Sequence, residues 1–207
     1  MASGRYAVAM PETPAWLPDS SRRGRSEEMV RRILDAGRAT FRTLSYEGAR
    51  VDDIVKEAGI SHGAFYLYFR NKEDLLHRVA VECAAALREL AADLEAMPRP
   101  ITEPAFREWI DRFVATYHAD GPVIRVWMDN KDADPLMQAL ANDALGPLTQ
   151  ALAHVVDAET AERAGDQLAG LAMLSLLERL SSYFVTIDPH AVSLTSTRLL
   201  FAATSEA

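Results

Sequence analysis

Residues 51–76, VDDIVKEAGISHGAFYLYFRNKEDLL, constrain the fold of this chain more than any other stretch. Residues 51–58 predict a helix, because apolar residues recur there with the spacing of one helical face. Gly59 follows at once, and a residue free to adopt positive φ is typical of a helix C-terminus. Ser61 is then a good N-cap for a second short helix, in which two phenylalanines four residues apart share one face. Two short helices joined by a Gly-containing turn predict a helix-turn-helix, whose second helix enters the DNA major groove.

The same stretch carries a distinctive order of residues: Ala58-Gly59-Ile60-Ser61, Gly63, Phe65-Tyr66-Leu67-Tyr68-Phe69, Asn71-Lys72-Glu73 and Leu75-Leu76. This spacing resembles the signature of the TetR family of transcriptional regulators and covers about a quarter of the chain. The family often has Thr at positions 49 and 50, where it caps the first helix of the motif and touches a phosphate. This chain has Ala49 and Arg50 instead. Arg50 is a poor cap and a good phosphate partner, so we expect the contact in altered form.

The predicted recognition helix supplies the residue types that a DNA-reading surface needs. Base edges are read by side chains in the groove, whereas phosphate contacts fix the register. Ala64 can contact a thymine methyl, and His62 can hydrogen-bond to a base or a phosphate. Tyr66 and Tyr68 either donate hydroxyls to phosphates or pack in the core. The predicted DNA-binding residues are Arg50, Ser61, His62, Gly63, Ala64, Tyr66, Leu67, Tyr68 and Lys72, the last because its charge and a helix N-terminus both favour a phosphate.

The fold class predicted for the whole chain is all-α, with an N-terminal three-helix DNA-binding domain followed by a helical ligand-binding and dimerisation domain. We predict a mobile basic tail over residues 1–25, the helix-turn-helix domain over 26–80 and the second domain over 81–207. The first helix is expected to run from Ser26, its cap, to about Leu44, and a long helix to run over residues 72–97. The inner stripe of the first helix is expected to comprise Val30, Ile33, Leu34, Gly37, Phe41 and Leu44. A turn is expected at Gly121-Pro122.

The TetR resemblance implies a homodimer on palindromic double-stranded operator DNA, with the last two long helices as the dimer surface. It also implies that the C-terminal part binds a small-molecule inducer. The helix expected over residues 159–185 is apolar nearly all round from Leu168 to Leu177, which indicates burial on several sides.

Bulky apolar side chains from several predicted helices are candidates for lining the ligand site, although stripes at this spacing more often belong to the core. Glu178 lies in the apolar run 174–180, so we expect it to anchor a ligand, to pair with Arg125 or Arg179, or to face solvent. The predicted ligand-binding residues are Trp109, Phe113, Tyr117, Trp127, Met128, Met137, Met173, Leu177 and Glu178.

The net charge of −8 argues against DNA binding if it is taken alone. Residues 22–80 carry 12 Lys and Arg against 9 Asp and Glu, whereas residues 81–207 carry 9 against 19. The basic excess therefore coincides with the helix-turn-helix, and DNA binding requires a local positive surface rather than a basic total.

Other classes of function find little support in the sequence. It has no Gly-rich phosphate loop, no G-x-S-x-G and no H-E-x-x-H, so we expect no enzyme, no catalytic residues and no cofactor. The histidines and the single Cys83 lack metal-ligand spacing, so no metal site is expected. One cysteine excludes an internal disulfide and suits a reducing cytoplasm, and the longest apolar run is too short to span a membrane.

The sequence therefore predicts a regulator, a repressor by resemblance, that is released from DNA by a small apolar or amphipathic ligand. The alternative is a DNA-binding regulator without a small-molecule ligand, controlled by a protein partner.

Overall fold

The computed structural model describes residues 20–130, 135–155, 166–182 and 188–202. Within these ranges every regular element is an α-helix, which confirms the all-α prediction. The helices are α1 Ser20–Gly48, α2 Val51–Ala58, α3 His62–Tyr66, α4 Lys72–Glu95, α5 Glu103–Asn130, α6 Pro135–Ala153, α7 Asp166–Ser182 and α8 Pro189–Ala202.

Helix α1 begins at Ser20, so the prediction of Ser26 as its cap is wrong. Residues 20–26 contain no proline, and nothing in the sequence stops the helix there from extending towards the N-terminus. Residues 20–25 of the predicted tail are therefore helical, while residues 1–19 lie outside the described residues. The inner stripe ends before Leu44, which is 44% exposed, because the helix breaks at Ser45 with φ 60° and ψ 168°.

The turn predicted at Gly121-Pro122 is also wrong, since α5 continues through both residues. A proline inside a helix removes one N–H donor and leaves the carbonyl four residues earlier without its helical partner. That carbonyl belongs to His118, and it accepts a hydrogen bond from Arg42 Nη1 of α1 at 3.2 Å. A neighbouring helix therefore supplies a donor to the carbonyl that Pro122 leaves without one.

Helix α4 joins the N-terminal helices to the rest of the chain. Its 24 residues span roughly 36 Å at a rise of about 1.5 Å per residue. Leu75 and Val79 are fully buried near its start, and Leu90 and Leu94 are buried near its end, so one hydrophobic core continues along the helix. The predicted boundary near residue 80 thus lies inside a buried helix, and it remains a prediction about function.

Helix α7 buries one side, not several. Ala169, Met173 and Leu177 are buried, whereas Leu168 and Leu171 are exposed. The predicted burial on several sides is therefore not reached within a single chain: α7 keeps an apolar face in contact with solvent.

The buried side of α7 crosses α6 at Gly170. A Cβ added to Gly170 would lie 2.1 Å from the carbonyl oxygen of Thr149, and backbone atoms cannot move aside as a flexible side chain does. Gly170 therefore sets the distance between these two helices.

We expect Gly170→Ala to destabilise the protein by about 1–3 kcal/mol, because overpacking against the α6 backbone exceeds the gain in helix propensity. Thermal unfolding should show a fall in melting temperature of about 2–12 °C. Gly24→Ala is the matched control, since its Cβ would meet nothing within 4 Å. Equal melting temperatures for Gly170→Ala and wild type would contradict this account of the crossing.

Candidate nucleic-acid interface

The turn between α2 and α3 has the geometry that the sequence predicts. Gly59 ends α2 in the left-handed conformation at φ 61°, and its N–H donates to the Lys56 carbonyl at 3.1 Å. The N–H of Ile60 donates to the Val55 carbonyl at 3.0 Å. Ser61 then caps α3, its Oγ accepting from the Ala64 N–H at 3.2 Å. The predicted roles of Gly59 and Ser61 in the turn are confirmed.

One side of α3 is fixed in the core, and the other faces solvent. Phe65 is fully buried and Phe69 nearly so, with ring centroids 5.8 Å apart. On the opposite side His62 and Gly63 are exposed. Tyr66 and Leu67 are 55% and 69% exposed, large values for apolar side chains. The helix therefore presents a small outward surface above two buried aromatic rings.

Two of the predicted contact residues have intramolecular partners on this surface. His62 Nε2 lies 3.3 Å from Asp52 Oδ1 of α2, and both side chains are exposed. Tyr68 is half-buried against the core, which agrees with the packing alternative for this residue. Ala64 is also only partly exposed, so the outward surface consists mainly of the residues on either side of it.

Lys72 has a role that the sequence did not suggest. Its Nζ donates to the carbonyl of Tyr46 at 2.6 Å and to that of Ala49 at 2.9 Å. The same ammonium group lies 4.3 Å from the centre of the Tyr46 ring. Two of its three N–H donors thus connect α4 to the end of α1 and to Ala49, which follows it.

Two exposed arginines lie just before α2 and just after α3. Arg50 is the N-cap residue of α2 but makes no side-chain cap, and Asp53 Oδ2 accepts its backbone N–H at 3.0 Å instead. The guanidinium is therefore not used in capping, as expected for a poor cap. Arg70, which the sequence reasoning missed, lies between α3 and α4 with its side chain 87% exposed and paired with Asp74. Its position between the recognition helix and Asn71, the N-cap of α4, is the sequence signal that marks it as a candidate phosphate contact.

A second candidate site is an apolar cavity of about 110 Å³ inside the C-terminal helices. Tyr117 Oη donates to Glu178 Oε1 at 3.3 Å at its polar end. Burial, and then the adjacent Glu178 carboxylate, raise the pKa of Tyr117 well above its ordinary value, so the hydroxyl stays protonated. The cavity is lined by Leu87, Phe113, Tyr117, Ile124, Leu145, Leu148, Thr149, Leu171, Leu174, Ser175 and Glu178.

Phe113, Tyr117 and Glu178 are thus the predicted ligand-binding residues that the structure brings to this cavity. Trp109, Trp127, Met137, Met173 and Leu177 do not line it, because they are used in packing. Trp109 Nε1 donates to the Leu90 carbonyl at 2.8 Å, and Trp127 Nε1 donates to Met137 Sδ at 3.3 Å. Met173 and Leu177 are also buried in the core, and the side chain of Met128 lies outside the described residues.

Comparison with known proteins agrees with this arrangement of helices. Residues 33–79, which include α2, α3 and the start of α4, match the family model "Bacterial regulatory proteins, tetR family". The transcriptional repressor AcnR of Corynebacterium diphtheriae is 33% identical over 81 residues, covering 38% of this chain and 43% of that protein. Residues 33–79 of this chain therefore carry the N-terminal region of the TetR family.

Two solved structures of TetR-like regulators show the fold over most of the chain. PfmR of Thermus thermophilus superposes with a TM-score of 0.62 at 20% identity, covering 84% of this chain and all of that one. FadR of Bacillus subtilis, in complex with stearoyl-CoA, gives 0.58 at 19% identity, covering 85% and 99%. The sequence match spans less than half of AcnR, so the TetR likeness beyond the N-terminal helices is one of fold.

Three further observations limit the sites that the described helices offer. Across residues 20–130, 135–155, 166–182 and 188–202, His, Cys, Asp and Glu form no group of three or more that could hold a metal ion. No helix in the same ranges is both long and apolar enough to cross a bilayer. Cys83 is fully buried, and burial first of all raises the pKa of its thiol well above the ordinary value.

We expect Lys72→Met to destabilise the DNA-binding helices, because it leaves the Tyr46 and Ala49 carbonyls without their donor. A loss of about 1–3 kcal/mol should appear as a fall in melting temperature of about 2–12 °C. Lys56→Met, which removes an exposed lysine from α2, should change it little. If Lys72→Met melted like wild type and only reduced the salt dependence of DNA binding, Lys72 would act on phosphate alone.

Proposed function

We propose that this chain is a transcriptional regulator that binds duplex DNA through α3. The observation that carries the proposal is the outward surface of His62, Gly63, Tyr66 and Leu67 held above the buried Phe65. A helix fixed on one side by aromatic burial and capped by Ser61 can enter a major groove without rearranging. The small Gly63 lets the backbone approach the groove closely.

Charge supports the same surface. The region 22–80 has a net charge of +3, whereas residues 81–207 have −10, so phosphate attraction is confined to the N-terminal part. Arg50, before α2, and Arg70, after α3, are exposed cations, and in the proposed complex both would contact phosphates. Lys72 contributes mainly by fixing the segment that carries Arg50.

We further propose that the protein acts as a homodimer through α7 and α8. Leu168 and Leu199 are 59% and 54% exposed, and Leu171 adds to the apolar face of α7. Exposed leucines on two helices that pack against each other are typical of a subunit interface rather than of a free surface. A two-fold axis between such faces would place two α3 helices in successive major grooves, about 34–36 Å apart.

The apolar cavity supports control by a small apolar or amphipathic ligand. Its walls are aliphatic and aromatic, and the Tyr117–Glu178 pair provides a polar end. The fold similarity to a FadR structure that holds stearoyl-CoA is consistent with an apolar ligand. The sequence similarity to AcnR, which is named a repressor, is consistent with repression by this protein. Ligand would act by shifting α4, the helix that begins beside α3.

The volume of about 110 Å³ favours a second candidate, a regulator controlled by a protein partner without a small ligand. Typical ligand pockets occupy roughly 300–1,000 Å³. A drug-sized ligand would therefore require movement of the helices that surround the cavity.

Paired leucine substitutions test the DNA and dimer proposals separately. Leu67→Glu should abolish retention of duplexes selected from a random pool, because a carboxylate would face the phosphates, and it should leave the dimer intact. Leu168→Glu combined with Leu199→Glu should give monomers in analytical ultracentrifugation, because charges would lie on the apolar face. These monomers should also lose most of their DNA affinity.

Each protein serves as the control for the other, since both carry glutamate in place of exposed leucine. Unchanged DNA retention by Leu67→Glu would rule out α3 as the reading helix. A dimer that survives Leu168→Glu with Leu199→Glu would place the subunit interface elsewhere.

A further inference from the structure

A second cavity lies where the DNA-binding helices meet the C-terminal helices, and we call it the junction cavity. It has a volume of about 160 Å³ and opens between the end of α1, the middle of α5 and the end of α7. Its polar lining differs from that of the apolar cavity, and Tyr117 forms a wall of both. It is lined by Phe41, Arg42, Ser45, Tyr46, Glu47, Tyr117, His118, Gly121, Pro122, Arg125, Val126, Ser181 and Ser182.

We propose that the junction cavity binds a small monocarboxylate and that this binding weakens the contact between α1 and α5. The proposal rests on the function proposed above, because it assigns a regulatory ligand to the same molecule. It concerns a different cavity, whose described lining shares Tyr117 alone with the apolar site.

The charges around the cavity suit a single negative charge. Arg42 and Arg125 contribute two positive charges and Glu47 one negative, which leaves a net charge of +1 when His118 is neutral. Planar guanidinium groups match the two oxygens of a carboxylate, and hydrogen bonds between such charged groups are strong. Phe41 and Val126 offer apolar contacts for a short hydrocarbon chain next to the carboxylate.

A buried hydroxyl in the wall lacks a partner. Ser181 is 2% exposed, and its Oγ has no hydrogen-bond partner among the described residues. Leaving a buried polar group unsatisfied is unfavourable, so such groups are rare in native structures. A small movement of the wall would let a carboxylate oxygen in the junction cavity accept from this hydroxyl.

The backbone is strained in the same wall. Ser45 adopts φ 60° and ψ 168°, a region that is nearly restricted to glycine. Its Oγ accepts the Gly48 N–H at 3.4 Å, which helps to hold the break in α1. Strain of this kind persists only where surrounding structure holds it, and it is concentrated at ligand sites and switch regions.

Arg42 connects the cavity to the DNA-binding helices. Its Nη1 donates to the His118 carbonyl, the group that Pro122 deprives of a helical donor. One turn earlier in α1, Arg38 Nε lies 2.6 Å from Asp120 Oδ1. A carboxylate that draws Arg42 away from His118 would remove one of the polar contacts between α1 and α5 and leave the Arg38–Asp120 pair in place. The α1–α5 contact would loosen, and operator affinity would fall.

The test uses the DNA-free protein and sodium hexanoate as the probe. Isothermal titration calorimetry measures the binding. Two compounds serve as controls. Hexanamide has the same hydrocarbon chain but no charge, and inorganic phosphate has more negative charge but no hydrocarbon chain. We expect hexanoate to bind, and we expect hexanamide and phosphate to bind at least tenfold more weakly. Equal affinity for hexanoate and hexanamide, tighter binding of phosphate, or no binding of hexanoate would each overturn the proposal.

Two variants locate the site. Arg125→Gln should raise the hexanoate Kd about tenfold, because it removes a charged partner of the carboxylate. Arg112→Gln is the matched control on the same helix, since Arg112 pairs with Asp93 outside the cavity and should leave the Kd unchanged. Ser181→Ala should also weaken binding without unfolding the protein, because its hydroxyl has no described partner to lose. Unchanged Kd values for both Arg125→Gln and Ser181→Ala would overturn the assignment.

DNA retention is measured separately, with and without hexanoate, on duplexes selected from a random pool. A protein that binds DNA but does not respond to hexanoate would contradict the junction site while leaving the proposed function intact. A protein that binds hexanoate at Arg125 but retains no duplex would contradict the proposed function and leave the carboxylate site in place.

Discussion

The burial of Phe65 between α3 and the helices behind it is the interaction on which the rest of the structure depends. Helix α3 has only five residues, and a helix of that length is not stable alone in water. It persists because Ser61 caps its start and because Phe65, with Phe69 after it, is enclosed by the core. The exposed side of α3 is consequently as well fixed as a longer helix would be, which is what a reading surface requires.

The junction between the N-terminal helices and the C-terminal helices is also held by burial. No flexible linker separates them, because α4 runs through both and is buried along its length. Polar contacts at one side of the junction join specific groups of α1 and α5. Arg38 pairs with Asp120, and Arg42 donates to the carbonyl of His118. Burial raises the pKa of Asp120 despite the hydrogen bond from Arg38, so this contact lies in a partly desolvated region. A change on α5 therefore reaches α1 through a few identifiable groups.

Local sequence signals predicted the helix-turn-helix well, because glycine at positive φ, a serine cap and paired phenylalanines each act over a few residues. The remainder depended on contacts between distant residues. Nothing near Pro122 shows that Arg42, eighty residues earlier in the chain, donates to the carbonyl that the proline leaves free. Nor does the sequence around Lys72 show that two carbonyls take its ammonium group. Among the aromatic candidates, periodicity marked buried side chains correctly but could not separate Phe113, which lines a cavity, from Trp109, which fills the core.

The central claim is that α3 reads the major groove in two successive half-sites, and guanine N7 methylation protection measures this most directly. Duplexes would be selected from a random pool by the full-length protein at about 50 mM salt and then footprinted with dimethyl sulfate. The account predicts protected major-groove guanines in two symmetric clusters separated by about one helical turn, 34–36 Å, or a multiple of it. Failure to enrich any sequence, or an enriched duplex whose major-groove guanines remain fully reactive, would contradict it.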